Sequence, residues 1–329
     1  MGDRIGIAGR ANDKPQEKRY NCFRESGRER GRGVTEKREK AAIVCCSNGL
    51  EEREREMIQQ LRSILENLGM EPVISAYLYA KNSVFCGTAQ ERAGALMRFF
   101  RDPEVALIFD VSGGDVANEM LPYLDYEEIA ASRAVFCGYS DLTTIMNGIY
   151  ARTGKASVWY QAKHLAGRDG ERQRRLLSEA VKAAGRDTAI LELTEASKRM
   201  PELFDLRWEW IRGASMRGTV VGGNIRCLLK LAGTPYWPKM RGKILFLEAR
   251  SGSLPQMTAY VNQLKQMGVF EEINGIFLGT FLQMEKEGES MAELVKRCAG
   301  EKLPIAGTGE VGHRADSKAL VIGKEAVFT

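Results

Sequence analysis

A strand-turn-helix pattern in the first half of the chain carries the residues that could do chemistry. The apolar run 106–111 ends in a Gly113-Gly114 turn, and a helix is predicted to begin directly afterwards. Such a turn directs backbone N–H groups and one side chain toward a ligand above it. In a hydrolase that side chain would be the nucleophile. Here the residue at this position is Ala117, which has no nucleophilic atom.

Serine-peptidase chemistry also needs a base and a carboxylate that orients the base. Histidine is the preferred base because its pKa lies near neutrality, and the chain has only two histidines, His164 and His313. His313 follows Gly312 in a turn between predicted strands, which suits either a functional side chain or a loop histidine bonded to the backbone. Glu248 closes the apolar run 244–247, so it is either an ordinary polar residue at a strand end or a site carboxylate.

Several segments resemble, in the same order along the chain, the LD-carboxypeptidase family of serine peptidases, which includes the microcin immunity proteins. The nucleophile loop of that family reads Gly-Gly-x-x-Ser-Asn and is followed by a Leu-Pro-Tyr-Leu-Asp-like helix. Each segment alone is weakly specific, but their joint order over about residues 41–329 is strong. The matching segments are GGDVANE (113–119), LPYLD (121–125), GYSDLT (138–143), GGN (222–224), GTPY (233–236), KILFLE (243–248) and GH (312–313).

The resemblance implies a Ser–Glu–His triad, with the serine where Ala117 stands, the glutamate at Glu248 and the histidine at His313. It also implies oxyanion donors among the backbone N–H groups around Gly114 and Asn118. We expect no cofactor, and no metal site, because no Cys/His cluster has zinc spacing. The predicted oxyanion and substrate-binding residues are Gly113, Gly114, Asp115, Asn118 and Trp208. Of these, Trp208 could stack on a ligand or simply pack between domains.

Ala117 admits three explanations. One is loss of activity, and another is a deliberate serine-to-alanine change made to trap a substrate. The third is a displaced nucleophile such as Ser112, which lies at a predicted strand end, so that its hydroxyl need not reach His313. A second departure from the family follows Gly154, where a His-Gly-Pro-like segment is common and this chain reads SVWYQ (157–161). That departure weakens any transfer of substrate specificity.

Strands that alternate with helices predict a parallel sheet with helices on both faces. We expect a flavodoxin-like N-terminal α/β domain over 40–165 that carries the turn, a polar helical linker over 166–206, and a smaller mixed α/β, barrel-like domain over 207–329 that carries Glu248 and His313. The predicted first-domain strands are 41–46, 106–111 and 134–137, and its helices are 51–68, 88–100 and 140–150, the last capped by Ser140 and Asp141. The predicted second-domain strands are 219–221, 244–247, 275–278, 304–306 and 319–322, with a helix at 255–267.

Length and composition favour a two-domain globular protein. The 329 residues are many for one core, and a hydrophobic content of 44% is ordinary. No apolar run approaches the roughly 20 residues of a membrane helix, and the Arg-rich N-terminus lacks the apolar core of a secretory signal. Seven cysteines without framework spacing predict reduced thiols and a cytoplasmic location.

The net charge of +5 belongs to the first 40 residues, which hold 12 Lys or Arg and 7 Asp or Glu. The other residues hold 36 of each, so we expect no nucleic-acid partner for the body of the protein. Residues 1–39 are predicted to be a basic, disordered extension, either passive or in contact with an anionic surface. Residues 2–8 and residues 40–46 both resemble the opening strand of the family. A misread gene start would produce such a duplication.

Two function hypotheses follow from these residues. The leading one is an LD-carboxypeptidase-like scaffold that acts on murein tetrapeptides or related peptide or acyl-amide conjugates, weakened as an active peptidase by Ala117. The alternative is a non-catalytic binder or sensor of muropeptide-like ligands. We expect a small peptide or muropeptide-like ligand and no membrane partner, and the protein could form a homodimer. A nucleotide-dependent enzyme is disfavoured, because the Gly-x-Gly-x-x-Gly pattern at 307–312 has only 17 residues after it, predicted to be strands.

Overall fold

Two six-stranded sheets organise the part of the chain that this computed structural model describes, residues 38–184 and 200–329. The predicted extension 1–39 lies outside the described residues except for its last two. The strands are β1 Lys40–Val44, β2 Glu71–Ile74, β3 Val105–Asp110, β4 Val135–Gly138, β5 Ser157–Trp159, β6 Glu209–Arg212, β7 Met216–Asn224, β8 Lys243–Ala249, β9 Gly275–Phe281, β10 Ile305–Gly307, β11 Leu320–Ile322 and β12 Glu325–Phe328.

The first sheet has the order β11-β5-β4-β3-β1-β2 and is parallel except for β11. Its strands are apolar on both faces, as in parallel sheets covered by helices. Along β1, Ala41 and Ile43 pack in one core, whereas Ala42 and Val44 pack in another on the opposite face. The predicted parallel α/β sheet is confirmed.

The second sheet has the order β12-β7-β8-β9-β10-β6, with β7 to β10 parallel and the two edge strands antiparallel. It curls into a half-barrel, which confirms the predicted mixed α/β, barrel-like architecture. Ile244 and Phe246 of β8 pack in the core that also holds Ala42 and Val44, so the two sheets share that core. Leu245 and Leu247 face a third core of their own.

The helices agree with the sequence where local signals are strong. In α1, Ile58, Leu61 and Leu65 are buried on one face. Helix α2 begins with the predicted capping box, in which Thr88 and Glu91 exchange hydrogen bonds. The helices are α1 Arg55–Asn67, α2 Ala89–Arg101, α3 Tyr126–Ala131, α4 Thr143–Thr153, α5 Gly170–Ala184, α6 Ile225–Leu229, α7 Leu254–Gln266, α8 Val269–Glu272, α9 Leu282–Lys286 and α10 Met291–Cys298.

The predicted capping of α4 by Ser140 and Asp141 is wrong. These residues lie in a 3-10 turn, Ser140–Leu142, and α4 begins after Leu142 without a side-chain cap. The Asp141 carboxylate instead accepts hydrogen bonds from Ser47, Ala117 and Lys230, which come from three other parts of the chain. Tertiary donors, one of them charged, outcompete a local cap for this carboxylate.

The strand predicted at 319–322 does not belong to the second sheet. As β11 it pairs antiparallel with β5 at the edge of the first sheet, with Leu320 opposite Trp159. This pairing covers backbone groups of β5 that would otherwise form an open edge. The chain then returns to the second sheet as β12, so the last ten residues tie the two sheets together.

The segment 166–206, predicted as a linker, contains helix α5, whose Leu176, Leu177 and Ala180 pack in a core of the first sheet. Residues 185–199 of that segment lie outside the described part of the chain. After β10, residues 308–319 contain no helix, so the glycine pattern at 307–312 lacks the following helix that a dinucleotide fingerprint needs. None of the helices in 38–184 and 200–329 has the length and apolar character required to cross a bilayer.

Candidate functional site

Glu248 and His313 are in direct contact. Glu248 lies near the end of β8 and is fully buried, and its Oε2 is 2.6 Å from Nδ1 of His313, whose side chain is only 3% exposed. Gly312 precedes the histidine with φ of +151°, and a Cβ there would overlap the Thr280 hydroxyl. The bond to Glu248 assigns the Nδ1 proton and leaves Nε2 as the acceptor, the tautomer that a general base needs.

Asn224 holds the second oxygen of this carboxylate. Its Nδ2 donates to Glu248 Oε1 over 3.0 Å, and its own backbone N–H donates to Thr143 Oγ1 over 2.9 Å. Its Oδ1 caps α6 by accepting from the N–H of Cys227. The sequence showed Asn224 only as the end of the GGN segment, and no local signal connected it to Glu248. Both oxygens of Glu248 are therefore fixed, which fixes the imidazole plane of His313.

The turn predicted to position a nucleophile is rigid. Gly114 has φ of +127°, and a Cβ there would overlap the side chain of Asn48. Asn48 donates its N–H to Gly113 O over 3.1 Å and accepts from the N–H of Asp115 over 3.0 Å. The helix that follows, Ala117–Tyr123, is a 3-10 helix rather than an α-helix, and it contains Pro122.

Ala117 is fully buried at the first position of this helix, and its N–H donates to Asp141 Oδ2 over 2.9 Å. Ser112, the predicted substitute nucleophile, is also buried. Its hydroxyl donates to Asp110 over 2.5 Å and accepts the N–H of Ser47 over 2.9 Å. These bonds commit the Ser112 hydroxyl to Asp110 rather than to His313.

Asp115 and Trp208, two further predicted site residues, contact different parts of the fold. The Asp115 carboxylate is 57% exposed and pairs with Arg226 from α6. Trp208 packs edge-on against the rings of Trp210 and Phe328, at centroid distances of 5.3 and 5.1 Å. These contacts correspond to the packing alternative for Trp208, and its role in ligand binding stays a prediction, as do the oxyanion roles of Gly113, Gly114 and Asn118.

One aromatic side chain that the sequence did not indicate as a site residue lies beside both histidines. The ring of Tyr139, directly after β4, is centred 4.7 Å from the His313 ring and 6.3 Å from the His164 ring. Burial, and then the charge of His313, lower the pKa of His164 to about 4, while Asp316 and Asp169 act more weakly in the opposite direction. Within the described residues, Nδ1 of His164 has no hydrogen-bond partner.

His164 therefore makes stability sensitive to acid, and its replacement is expected to reduce that sensitivity. Because its pKa is lower in the folded than in the unfolded chain, protonation favours unfolding. The penalty is absent above about pH 6.5, grows as the pH falls, and is complete below about pH 4. Between pH 7 and about pH 4.5, wild type should lose about 2 kcal/mol more unfolding free energy than the His164→Asn variant. Urea unfolding of both proteins at both pH values measures the difference, and equal losses would contradict this assignment.

Among residues 38–184 and 200–329, no three His, Cys, Asp or Glu side chains are grouped so that they could hold an ion. The arrangement that the geometry does provide is a carboxylate-oriented imidazole and a rigid turn at the carboxyl end of β3. A histidine oriented by a carboxylate in this way is suited to general-base chemistry.

Comparisons with known proteins place this chain among peptidase-like relatives. A family model of the LD-carboxypeptidase N-terminal domain matches residues 41–177, and a model of the LD-carboxypeptidase C-terminal domain matches residues 217–328. The microcin C7 self-immunity protein MccF of Escherichia coli is 25% identical over 274 residues, which cover 76% of this chain and 79% of that protein. The murein tetrapeptide carboxypeptidase of Pseudomonas aeruginosa is 25% identical over 281 residues, covering 80% and 85%.

The fold is similar to that of a solved structure of MccF in complex with glutamyl sulfamoyl guanosine. The TM-score is 0.74 at 20% identity, and the match covers 88% of this chain and 92% of that one. At this identity the likeness establishes the two-domain architecture alone.

Proposed function

Because the chain belongs to the LD-carboxypeptidase family, we propose that it binds a murein tetrapeptide, or a related peptide or acyl-amide conjugate, without hydrolysing it at the rate of a serine peptidase. This proposal rests on one observation: the chain has an ordered Glu248–His313 dyad but has an alanine at the turn. The dyad supplies a base, and position 117 supplies nothing for that base to deprotonate.

The site residues have separate roles in this proposal. Glu248 orients His313, and Asn224 in turn holds Glu248. In a relative with serine at the turn, Nε2 of the histidine would take the hydroxyl proton as the oxygen attacks the scissile carbonyl. The N–H groups of Gly114 and Asn118 would stabilise the negative oxygen that forms.

Ligand binding does not depend on the missing hydroxyl. The serine of such a triad acts mainly in the transition state, so its loss lowers the rate and leaves ground-state affinity largely intact. A protein that keeps the pocket and the dyad but lacks the nucleophile is suited to sequester or sense its ligand. The predicted domain boundaries, the homodimer and the cytoplasmic location belong to the same proposal, and the family models at 41–177 and 217–328 support a two-domain division.

Calorimetric titration of a murein tetrapeptide into the full chain tests the proposal, with chromatographic detection of D-alanine in the same samples. We expect saturable binding and D-alanine release at the level of a protein-free blank. Rapid release that His313→Ala abolishes would overturn the proposal, because another nucleophile would then operate. Binding of glutamyl sulfamoyl guanosine but not of the tetrapeptide would assign the ligand to the acyl-amide class instead.

A further inference from the structure

We propose that Lys230 is a positioning residue that holds the backbone of the turn at Ala117 in place by pairing with the buried carboxylate of Asp141. The proposal rests on the proposed function only in taking this turn to be part of the ligand site. It adds a residue that neither the sequence patterns nor the Glu248–His313 dyad indicated.

The carboxylate of Asp141 accepts hydrogen bonds from three parts of the chain. It is fully buried, and its Oδ2 accepts from the Ser47 hydroxyl over 2.6 Å and from the N–H of Ala117 over 2.9 Å. Its Oδ1 accepts from Nζ of Lys230 over 2.5 Å. A carboxylate without water or a cationic partner is costly to bury, so the ammonium group of Lys230 offsets the cost of burying Asp141, which holds the Ala117 amide.

Lys230 reaches the same turn a second time. Its Nζ also donates to the backbone oxygen of Asp115 over 2.8 Å, and its side chain is only 20% exposed. Arg226, four residues earlier and on the same face of this helical turn, pairs with the Asp115 carboxylate and donates to Gly114 O over 3.3 Å. Two cations from one short segment therefore fix the backbone between residues 114 and 117.

The same segment also holds the dyad. Asn224 caps α6 and donates to Glu248, whereas Lys230 follows the last turn of α6 and donates to Asp141. One end of this short helix is thus bonded to the general-base side of the site, and the other end to the turn. Loss of the Lys230 contact should release the turn while leaving the Glu248–His313 contact in place.

Several charged or titratable groups surround Asp141. The titratable and charged groups that face it are Lys230, Arg226, the carboxylate of Asp115, and the thiol of Cys227, whose pKa is raised by burial and then by the charge of Asp141. Without the Lys230 ammonium, a buried carboxylate would lie near a second carboxylate, a situation that favours uptake of a proton. The environment of the Ala117 amide should then change with pH, an effect that a lysine acting only by filling space would not produce.

The amide of Ala117 provides a direct test that needs no ligand. Full-length protein labelled with 15N-alanine is compared with Lys230→Met, Lys230→Arg and the surface control Lys286→Met, and the Ala117 signal is identified by its absence in Ala117→Ser. Between about pH 5 and 8 we expect the amide shift in Lys230→Arg and in the control to follow that of wild type. In Lys230→Met we expect the shift to titrate. An amide shift in Lys230→Met that matches wild type at every pH would overturn the proposal.

The Asp141→Asn background keeps the test decisive if Lys230→Met alone does not fold. Asparagine has no charge to neutralise, so Lys230→Met should change the Ala117 amide shift and the midpoint of urea unfolding less in the Asp141→Asn background than in wild type, the remaining effect coming from the lost contact with Asp115 O. An effect of Lys230→Met that is equally large in both backgrounds would show that Lys230 acts independently of Asp141 and would contradict the proposal. Failure of the tetrapeptide to bind, with the amide titrating as expected, would contradict the proposed function alone.

Discussion

The Ala117→Ser variant is expected to release D-alanine from a murein tetrapeptide at least about 10³ times faster than the protein with Ala117. Loss of the serine from a subtilisin-type triad costs about 10⁶ in kcat, or roughly 8 kcal/mol of activation free energy. Restoring the hydroxyl should lower the activation free energy by a large part of this amount. The base and its orienting carboxylate are already in contact, with His313 Nδ1 2.6 Å from Glu248 Oε2.

The gain depends on where the new hydroxyl lies. Position 117 is fully buried and its backbone is fixed by Asp141, so a serine there has little freedom beyond its own rotamers. Turnover requires its oxygen to lie within about 2.6–3.2 Å of Nε2 of His313. A crystal structure of the variant would measure that distance beside the rate.

Ala117→Gly is the matched control for this experiment. It alters the same position without adding a hydroxyl, so its D-alanine release should stay at the level of the Ala117 protein. If the serine and glycine variants are equally inactive although both bind the tetrapeptide, then the turn does not present residue 117 to His313. That result would refute the assignment of Ala117 to the nucleophile position.

In the Ala117→Ser background, Glu248→Gln is expected to lower kcat by about 10⁴, and His313→Ala by up to about 10⁶. A glutamine at 248 would accept from Asn224 with its oxygen and present its NH₂ to Nδ1 of His313. The proton of the imidazole would then move to Nε2, which could no longer accept the serine proton. The contact between residues 248 and 313 would remain, but His313 could no longer act as a general base.

Tetrapeptide affinity separates this mechanism from general damage to the site. Because the dyad acts in the transition state, calorimetry should give dissociation constants for both variants within about tenfold of the parent. A Glu248→Gln variant that kept most of the parent kcat would show that the carboxylate does not set the tautomer of His313. Loss of affinity in parallel with the rate would instead assign these residues to ligand binding.

Local rules in the sequence determined the secondary elements and the class of fold. The apolar spacing of α1, the capping box of α2 and the uninterrupted apolar run of β3 each depend on neighbours within a few residues, and the structure confirms all three. Short edge strands such as β6 and β12 carried too little pattern to be predicted. Resemblance to the family indicated Glu248, His313 and the turn at Ala117 as site residues.

Tertiary structure decided which partners these residues have. Asp141 has the sequence of a helix cap but is a buried acceptor, because Ser47, Ala117 and Lys230 converge on it from distant parts of the chain. Strand β11 has the pattern of a second-sheet strand but completes the first sheet, where an edge of β5 was available. A sequence specifies which groups can form hydrogen bonds and ion pairs through local chemistry, whereas the packing of whole elements determines which distant groups come within range.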